Sequence, residues 1–202
     1  MKEIIDRIQT WPVELEPIKI QVKKYLENNS TIDEVVLNIL HRPWVASLNW
    51  GLMLYSGADA EWFLEFERKT QKVIPGFYQN FLQLINGGFI YGISMYGLTP
   101  SIYNKGVLKR TILQCHDLTT ANTSWIHNYD VDPMLFHFAG RTYSRQENIG
   151  YFFDGDNILS IRKNGEVLNQ WTNLGDMLFD EIETVEKMML EKVPENTNLK
   201  IS

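Results

Sequence analysis

The segment IPGFYQNFLQLINGGFIYG at residues 74–92 carries the clearest folding pattern in the chain. Pro75 suits the first turn of a helix, where a missing backbone N–H leaves no hydrogen bond unmade. The apolar residues at the spacing of one buried helical face are Phe77, Phe81, Leu84 and Ile85. Gly87 and Gly88 are predicted to end this helix, because glycine readily adopts the left-handed conformation found after helix C-termini. Residues 89–95 then take a strand-like pattern.

The residues before this segment are predicted to be mainly helical. The sequence TIDE at residues 31–34 has the threonine-to-glutamate spacing of a capping box, which predicts a helix over the residues that follow. Residues 43–57 show no clean period and are expected to be irregular, with a short strand near 50–55. We therefore expect an N-terminal helical extension over residues 1–57 and a domain over residues 58–202.

The second half of the chain is predicted to be rich in strands. A long insertion at residues 98–133 includes a helix near 119–128. The strands that follow cover residues 134–138, 149–153, 158–162 and 166–171. Asn173 with Asp176 starts a final helix. The predicted order is helices, then consecutive strands joined by short turns, then a closing helix. This order indicates an α+β fold with an antiparallel meander rather than a parallel sheet.

Asn164 and Gly165 predict a β-hairpin between the last two strands. This dipeptide is preferred in two-residue type I′ turns, because both positions tolerate positive φ. The predicted register pairs Lys163 with Glu166, Ile161 with Leu168 and Ile158 with Trp171. These pairs join opposite charges or apolar groups, which is how cross-strand neighbours stabilise a sheet.

The order of these patterns resembles the SMI1/KNR4 (SUKH) superfamily over roughly residues 58–191. In the segment at residues 74–92, a helix leads to Asn-Gly-Gly and then to a strand ending in Tyr-Gly, which is similar to the family's opening motif. The sequence IGYFFDGD at residues 149–156 resembles a later strand and turn of the family. Trp171 and the acidic helix beyond it occupy the place of the family's closing strand and helix.

This resemblance implies a non-enzymatic α+β binding domain. Bacterial members look like immunity proteins, which bind and neutralise a partner toxin that is often a nuclease. Fungal members are intracellular regulators linked to cell-wall synthesis. The resemblance implies no catalytic residue, and the residues that transfer as fold determinants only are Pro75, Gly87, Gly88, Gly150 and Gly155.

The net charge of the chain limits the classes of partner that we expect it to bind. A net charge of −6 disfavours non-specific nucleic-acid binding, which requires a basic surface. Between residues 176 and 195, seven acids stand against two lysines. The first residues include acids and no long apolar run, and no stretch approaches the roughly 18 apolar residues of a membrane helix. We therefore expect a cytoplasmic protein that does not bind membranes.

Acidic and aromatic side chains are the candidates for binding a protein partner. Carboxylates on an exposed helix can meet the basic surface that a nuclease presents to phosphates, which accelerates encounter. The same acids would also suit the solvated face of an ordinary amphipathic helix. Tryptophans in irregular segments are candidate anchors, because aromatic residues dominate interface hot spots. The candidates are Glu147, Asp154, Asp156, Asp180, Glu181, Glu183, Trp44 and Trp125.

Motifs for catalysis or for metal binding are weak. Cys115, His116 and Asp117 are adjacent, whereas catalytic partners usually come from separate parts of a sequence. A calcium loop that began at Asp154 would have Gly165 at position 12, where a glutamate is needed. The chain has neither the glycine-rich phosphate-binding motifs nor the paired histidines of zinc sites. We expect no catalytic residue, no cofactor and no metal.

Three hypotheses follow for the function. The first is an immunity protein that covers a toxin domain without chemistry of its own. The second is a regulatory or scaffolding module of the SMI1/KNR4 type, with a more apolar interface. The third is an unrecognised hydrolase, which a deep pocket joining Cys115 or a histidine to a carboxylate would favour.

Overall fold

The computed structural model describes residues 8–26, 30–32, 36–42, 49–99, 115–144 and 147–190. The helices are α1 (Glu16–Tyr25), α2 (Ala60–Thr70), α3 (Gly76–Leu84), α4 (Leu118–Thr123) and α5 (Leu174–Leu190). Short 3₁₀ turns cover Val13–Leu15 and Trp125–Asn128. The strands are β1 (Ser30–Ile32), β2 (Val36–His41), β3 (Trp50–Ser56), β4 (Ile85–Ile90), β5 (Ile93–Met95), β6 (Phe136–Ser144), β7 (Glu147–Asp154), β8 (Asn157–Arg162) and β9 (Val167–Trp171).

The described strands form one antiparallel sheet in which each strand pairs with the next along the chain, from β1 to β9. This arrangement confirms the predicted α+β class and the antiparallel meander. The predicted strands after the insertion correspond to β6, β7, β8 and β9. The helix expected near 119–128 is present as α4 and the following 3₁₀ turn.

The helix predicted after the TIDE sequence is wrong, because residues 30–32 and 36–41 are strands β1 and β2. Pairing with β3 sets Ile39 opposite Leu52, and both side chains are buried in the main core. A capping box is a local pattern, and here the backbone bonds and burial offered by the neighbouring strand outweigh it. The short strand expected near 50–55 is confirmed as β3.

The boundary expected after residue 57 lies between two strands that pair with each other. Leu52 of β3 stands opposite Ile90 of β4 in the antiparallel ladder. The main core also joins side chains from both sides of this boundary, including Val22, Leu52 and Phe138. The N-terminal residues therefore contribute strands to the same sheet and apolar side chains to the same core as the rest of the chain.

Helix α3 begins after Pro75 as predicted, but its buried face is rotated by one residue. Tyr78, Phe81 and Leu82 are buried, whereas Leu84 is 37% exposed. The prediction that Asn-Gly-Gly ends the helix as a glycine cap is wrong, because the helix stops at Leu84 and these residues lie within β4. Tertiary pairing of the chain after Leu84 with β3 decides this helix end.

Gly87 and Gly88 instead allow neighbouring backbones to approach β4 closely. Gly87 has φ of +74°, and a Cβ there would lie 2.7 Å from the carbonyl oxygen of Met95. A Cβ at Gly88 would lie 2.4 Å from the carbonyl oxygen of Met53. Both distances are shorter than real Cβ contacts, so a side chain at either position would push strands apart. Asn86 fastens the same region, since its side chain bonds the backbone N–H and carbonyl of Leu98.

The hairpin between β8 and β9 is present, but its turn differs from the predicted type I′. Ile158 faces Trp171 as predicted, whereas Ile161 faces Val167 because the register shifts along β9. Gly165 has φ of +82° and its N–H bonds the carbonyl of Arg162, which makes a three-residue loop. In place of a contact between Lys163 and Glu166, the side chain of Arg162 binds Glu166 at 2.8 Å.

The hydroxyl of Tyr78 fastens helix α3 to the centre of the sheet. Tyr78 is fully buried, and its hydroxyl lies 2.5 Å from the carbonyl oxygen of Tyr96 and 3.1 Å from that of Phe138. The aromatic rings packed around it are those of Phe81, Phe136, Phe138 and Phe153. A buried hydroxyl without a hydrogen bond destabilises the folded state. The Tyr78 hydroxyl therefore holds α3 against the strands that supply these carbonyl groups.

We predict that Tyr78→Phe lowers the free energy of unfolding by about 1–3 kcal/mol, because it removes a buried hydrogen bond while keeping the ring. The matched control is Tyr129→Phe, since the Tyr129 hydroxyl makes no hydrogen bond to another described residue. Urea unfolding of both variants and of the parent measures the difference. Equal stability of Tyr78→Phe and the parent would contradict the role given to this hydroxyl.

Candidate functional site

Helix α5 presents one exposed face that combines an aromatic ring with acids. Its first turn is fixed by Asn173, whose side-chain oxygen accepts the N–H of Asp176 at 2.8 Å. Asp176, Phe179, Asp180 and Glu183 follow at helical spacing on the side away from the core, and all four are exposed. Phe179 is 57% exposed and is aromatic, whereas the other large apolar side chains exposed in the described residues are not aromatic. We call these four residues the α5 outer face.

The inner side of α5 is held on the sheet by polar contacts as well as by apolar packing. The buried carboxylate of Glu181 lies 2.9 Å from the Nε of Arg141 on β6. The same nitrogen donates to the hydroxyl of Tyr151 at 2.9 Å. The indole N–H of Trp171 donates to Asp180 at 2.8 Å, which joins the end of β9 to the helix. These contacts give the α5 outer face a fixed position.

The later part of α5 is bound to α1 through Glu186. Its carboxylate accepts hydrogen bonds from Lys24 and Tyr25, both at 2.8 Å, and from Gln21 at 3.2 Å. Burial alone would raise the pKa of Glu186, but the hydrogen bonds from Lys24 and Tyr25 outweigh it and keep the pKa below its usual value. Glu186 therefore stays ionised in a partly buried position and joins the two helices.

The remaining acids of the predicted set lie at opposite ends of the sheet. Asp154 ends β7 and Asp156 lies in the turn to β8. Both are exposed, at the end of the sheet where Trp171 leads into α5. Glu147 begins β7 at the other end and binds Arg162 at 3.2 Å. Asp154 and Asp156 therefore extend the acidic surface near the start of α5, whereas Glu147 does not.

The other three predicted residues, Glu181, Trp44 and Trp125, do not belong to this acidic surface. Glu181 is 3% exposed and ion-paired, so its carboxylate faces the core instead of solvent. Trp44 lies outside the described residues. Trp125 is half-buried and lines a cleft on the opposite face of the sheet from α5.

This cleft has a volume of about 300 Å³ and lies between the sheet and the segment that carries the 3₁₀ turn Trp125–Asn128. Its lining includes Ser94, Tyr96, His116, Trp125, Asn128, Tyr129, Gly140, Asn148 and Lys163. These residues come from separate strands and loops, and no local motif joins them. Sequence reasoning found only Trp125 as a candidate, and missed the others.

A row of small residues across three strands makes room for the aromatic walls of the cleft. Ser94 pairs with Gly140, and Gly140 pairs with Gly150 on the next strand. A Cβ at Gly140 would lie 2.4 Å from the hydroxyl oxygen of Tyr96. A Cβ at Gly150 would lie 2.9 Å from the ring of Tyr129. The two glycines thus let Tyr96 and Tyr129 lie directly on the sheet.

The buried ring of His137 packs against the aromatic walls of the cleft. The ring of His137 stacks on Phe152 with 4.4 Å between centroids and meets Tyr96 and Tyr129 edge-on. Burial lowers the pKa of His137 to about 3, although nearby backbone groups of Ala121 and Ala139 favour the protonated form. His137 is therefore neutral at neutral pH and acts as an aromatic packing residue.

The side chains of Cys115, His116 and Asp117 lie in different surroundings, although the residues are adjacent in the sequence. Cys115 is 6% exposed beside Val36 and Tyr55, and burial raises the pKa of its thiol to about 12. Asp117 caps α4 by accepting the backbone N–H of Thr120. His116 lines the cleft, whose described lining contains no carboxylate side chain. The arrangement does not join a reactive thiol, a base and a cavity.

Comparisons with protein-family models, with curated proteins and with solved structures found no match to this chain. In the described residues, no three side chains of His, Cys, Asp or Glu cluster as metal ligands would. None of the described helices combines the length and hydrophobicity that a membrane span requires.

We predict that His137 makes stability pH-dependent. The unfolded chain binds a proton at His137 below about pH 6.5, while the folded protein resists protonation down to about pH 3. Stability contributed by the neutral ring is therefore complete above pH 6.5 and is lost as the pH falls through this window. Between pH 6.5 and 5.0 the loss should be roughly 1–2 kcal/mol.

Urea unfolding at several pH values measures this dependence in the parent, in His137→Phe and in the control His127→Phe, whose histidine is exposed. We expect a shallower loss of stability between pH 6.5 and 5.0 in His137→Phe alone, whatever its absolute stability. The same slope in all three proteins would show that His137 is protonated without cost in the folded state.

Proposed function

We propose that this protein is a non-catalytic binding domain, an immunity protein of the SMI1/KNR4 type, that covers a basic protein partner such as a nuclease toxin domain. The observation that carries the proposal is the exposed Phe179 among the carboxylates of the α5 outer face. The antiparallel α+β fold and the acidic helix that closes it also agree with what the family resemblance implies.

Phe179 has the features of an interface anchor. Aromatic side chains carry much of the binding energy of protein interfaces when a partner pocket removes them from water. Phe179 is exposed by 57% on a helix that is held by core contacts, so little ordering is needed before a partner binds. Asp176, Asp180 and Glu183 surround it with polar groups, as in an interface with an apolar centre and a charged rim.

The charge of this surface selects a basic partner. The α5 outer face carries three carboxylates, of which Glu183 pairs with Lys187 at 2.8 Å. Asp154 and Asp156 add two more exposed acids at the same end of the sheet. A nuclease domain presents basic groups to phosphates, so attraction to these acids would bring the proteins together and cover the basic site. Inhibition would then result from occlusion, with no bond made or broken.

The proposal predicts that Phe179→Ser weakens binding to the partner at least about tenfold, because the anchor is lost. The candidate partners are the proteins encoded by the genes beside its own, and calorimetry or biolayer interferometry measures binding of the full chain to each. Leu64→Ser is the matched control, since Leu64 is 69% exposed on α2 and lies outside the α5 outer face.

Salt gives a second readout. Association with a basic partner should slow as the ionic strength rises, because screening weakens the attraction between opposite charges. Binding that ignores salt and survives Phe179→Ser would favour the apolar interface of a regulatory module instead. The immunity function would be contradicted if no neighbouring gene product bound, or if a bound toxin stayed active.

A further inference from the structure

We infer that the cleft walled by Tyr96, Trp125 and Tyr129 binds a small aromatic anion, with Lys163 holding the anionic group at the open end. This site lies on the face of the sheet opposite α5. The inference is therefore independent of the proposed function and of any partner bound to the α5 outer face.

The size of the cleft suits a small organic molecule. Its volume of about 300 Å³ is at the lower end of the range for small-molecule sites. The floor is formed where Ser94 pairs with Gly140, so backbone and a hydroxyl, rather than bulky side chains, line the bottom. The Tyr96 hydroxyl lies over this floor, close to Gly140.

The walls of the cleft favour a planar, unsaturated ligand. Tyr96 and Trp125 meet edge-to-face with 5.5 Å between centroids, and Trp125 meets His116 in the same way at 5.7 Å. Aromatic rings prefer such offset or edge contacts with a further ring, and each contact adds to the burial of apolar area. Burial lowers the pKa of His116, so its imidazole is neutral at neutral pH and adds one donor and one acceptor.

The charge of the lining favours an anion. Among the described residues of the lining, the cations are Lys163 and Arg141, and none is Asp or Glu. Arg141 is bound to Glu181 on the opposite face, so Lys163 is the cation that faces a ligand. Two acids at this end of the sheet, Glu147 and Glu166, are both bound to Arg162.

The position of Lys163 is defined by its backbone. Its carbonyl oxygen accepts the N–H of Asp130 at 2.9 Å, which fixes the hairpin loop beside the segment that carries Tyr129. Asp130 is exposed, and both its backbone carbonyl and its Cβ lie beside Gly165 of the loop. Lys163 is the first residue of the three-residue loop and belongs to the lining of the cleft.

The lining also contains neutral polar groups. The side chains of Ser94, Asn128 and Asn148 make no hydrogen bond to another described residue. Together they offer donors and acceptors near the floor and near the mouth. A few such groups in an otherwise aromatic site orient a ligand without holding it strongly, so the charge on Lys163 should decide affinity.

The experiment measures binding of the full chain to benzoate, 4-hydroxybenzoate and indole-3-carboxylate, each paired with its uncharged amide. Calorimetry gives the affinity, and amide-resolved NMR shows whether the signals that move belong to residues of the lining. We expect at least one carboxylate to bind saturably and its amide to bind about tenfold more weakly, because the ion pair with Lys163 is lost.

Three variants locate the effect. Lys163→Met should remove the preference for the carboxylate, and Asn148→Trp should block the mouth and abolish binding of both members of the pair. Lys23→Met is the matched control, since Lys23 is exposed on α1 and should leave both affinities unchanged. Asn148 and Lys163 are exposed, so neither change enters the core.

The inference would be overturned by any of three results. The first is that none of the three carboxylates binds at about 10 mM, a concentration that detects even weak sites. The second is equal affinity for a carboxylate and its amide. The third is a preference for the carboxylate that survives Lys163→Met, which would assign the anion to another site.

Discussion

The hydroxyl of Tyr78 connects the helix α3 to two strands at once, and the rest of the architecture depends on this contact. Its partners are the carbonyl groups of Tyr96 and Phe138, and Phe138 also accepts the backbone N–H of Tyr96. The helix is thereby fixed over the junction of β5 and β6. The ring of Tyr96 then extends to the opposite face, where it forms a wall of the cleft. The buried Tyr78 hydroxyl thus connects the core to the segment that forms a wall of the cleft.

The sheet separates two surfaces with different chemistry. On one face, Arg141 binds both Glu181 and the hydroxyl of Tyr151 and so fixes α5, which leaves Phe179 and its acidic neighbours exposed. On the other face, alternate residues of the same strands pack under the 3₁₀ turn and form the aromatic cleft. Because side chains alternate along a strand, neighbouring residues such as Tyr151 and Phe152 serve opposite faces. A macromolecule and a small molecule could therefore bind without competing for the same residues.

Local sequence patterns predict the parts of the fold that depend on interactions between residues close in the sequence. The closing helix, its Asn173 cap and the four strands after the insertion follow from periodicity and capping, and all are present. The single strand expected over residues 89–95 is wrong, because a turn at Tyr91 and Gly92 divides it between β4 and β5, which pair with each other. The capping box at residues 31–34 failed because pairing of β2 with β3 outweighs a local helix preference. The sequence pattern predicts that Gly87 and Gly88 end a helix, whereas in the structure they allow neighbouring strands to approach closely.

The two candidate sites differ in how much of them a sequence can reveal. The acids of α5 lie in one segment, so their spacing predicts a shared face, although it does not show that Glu181 turns inward. The cleft is assembled by the register of β5, β6 and β7 and by a three-residue hairpin loop. Ser94, Asn148 and Lys163 meet only after those strands pair, and no spacing in the sequence anticipates their meeting.

The most direct test of the account is hydrogen–deuterium exchange of the full chain, alone and saturated with a neighbour-encoded protein that binds it. Exchange reports which backbone amides a partner covers or stabilises. We predict slower exchange in α5 over residues 174–187 and in the β7–β8 turn at residues 154–157, with no change at residues 125–130. Protection confined to residues 125–130 and Lys163, with α5 unaffected, would contradict the central claim that the protein meets its partner through the α5 outer face.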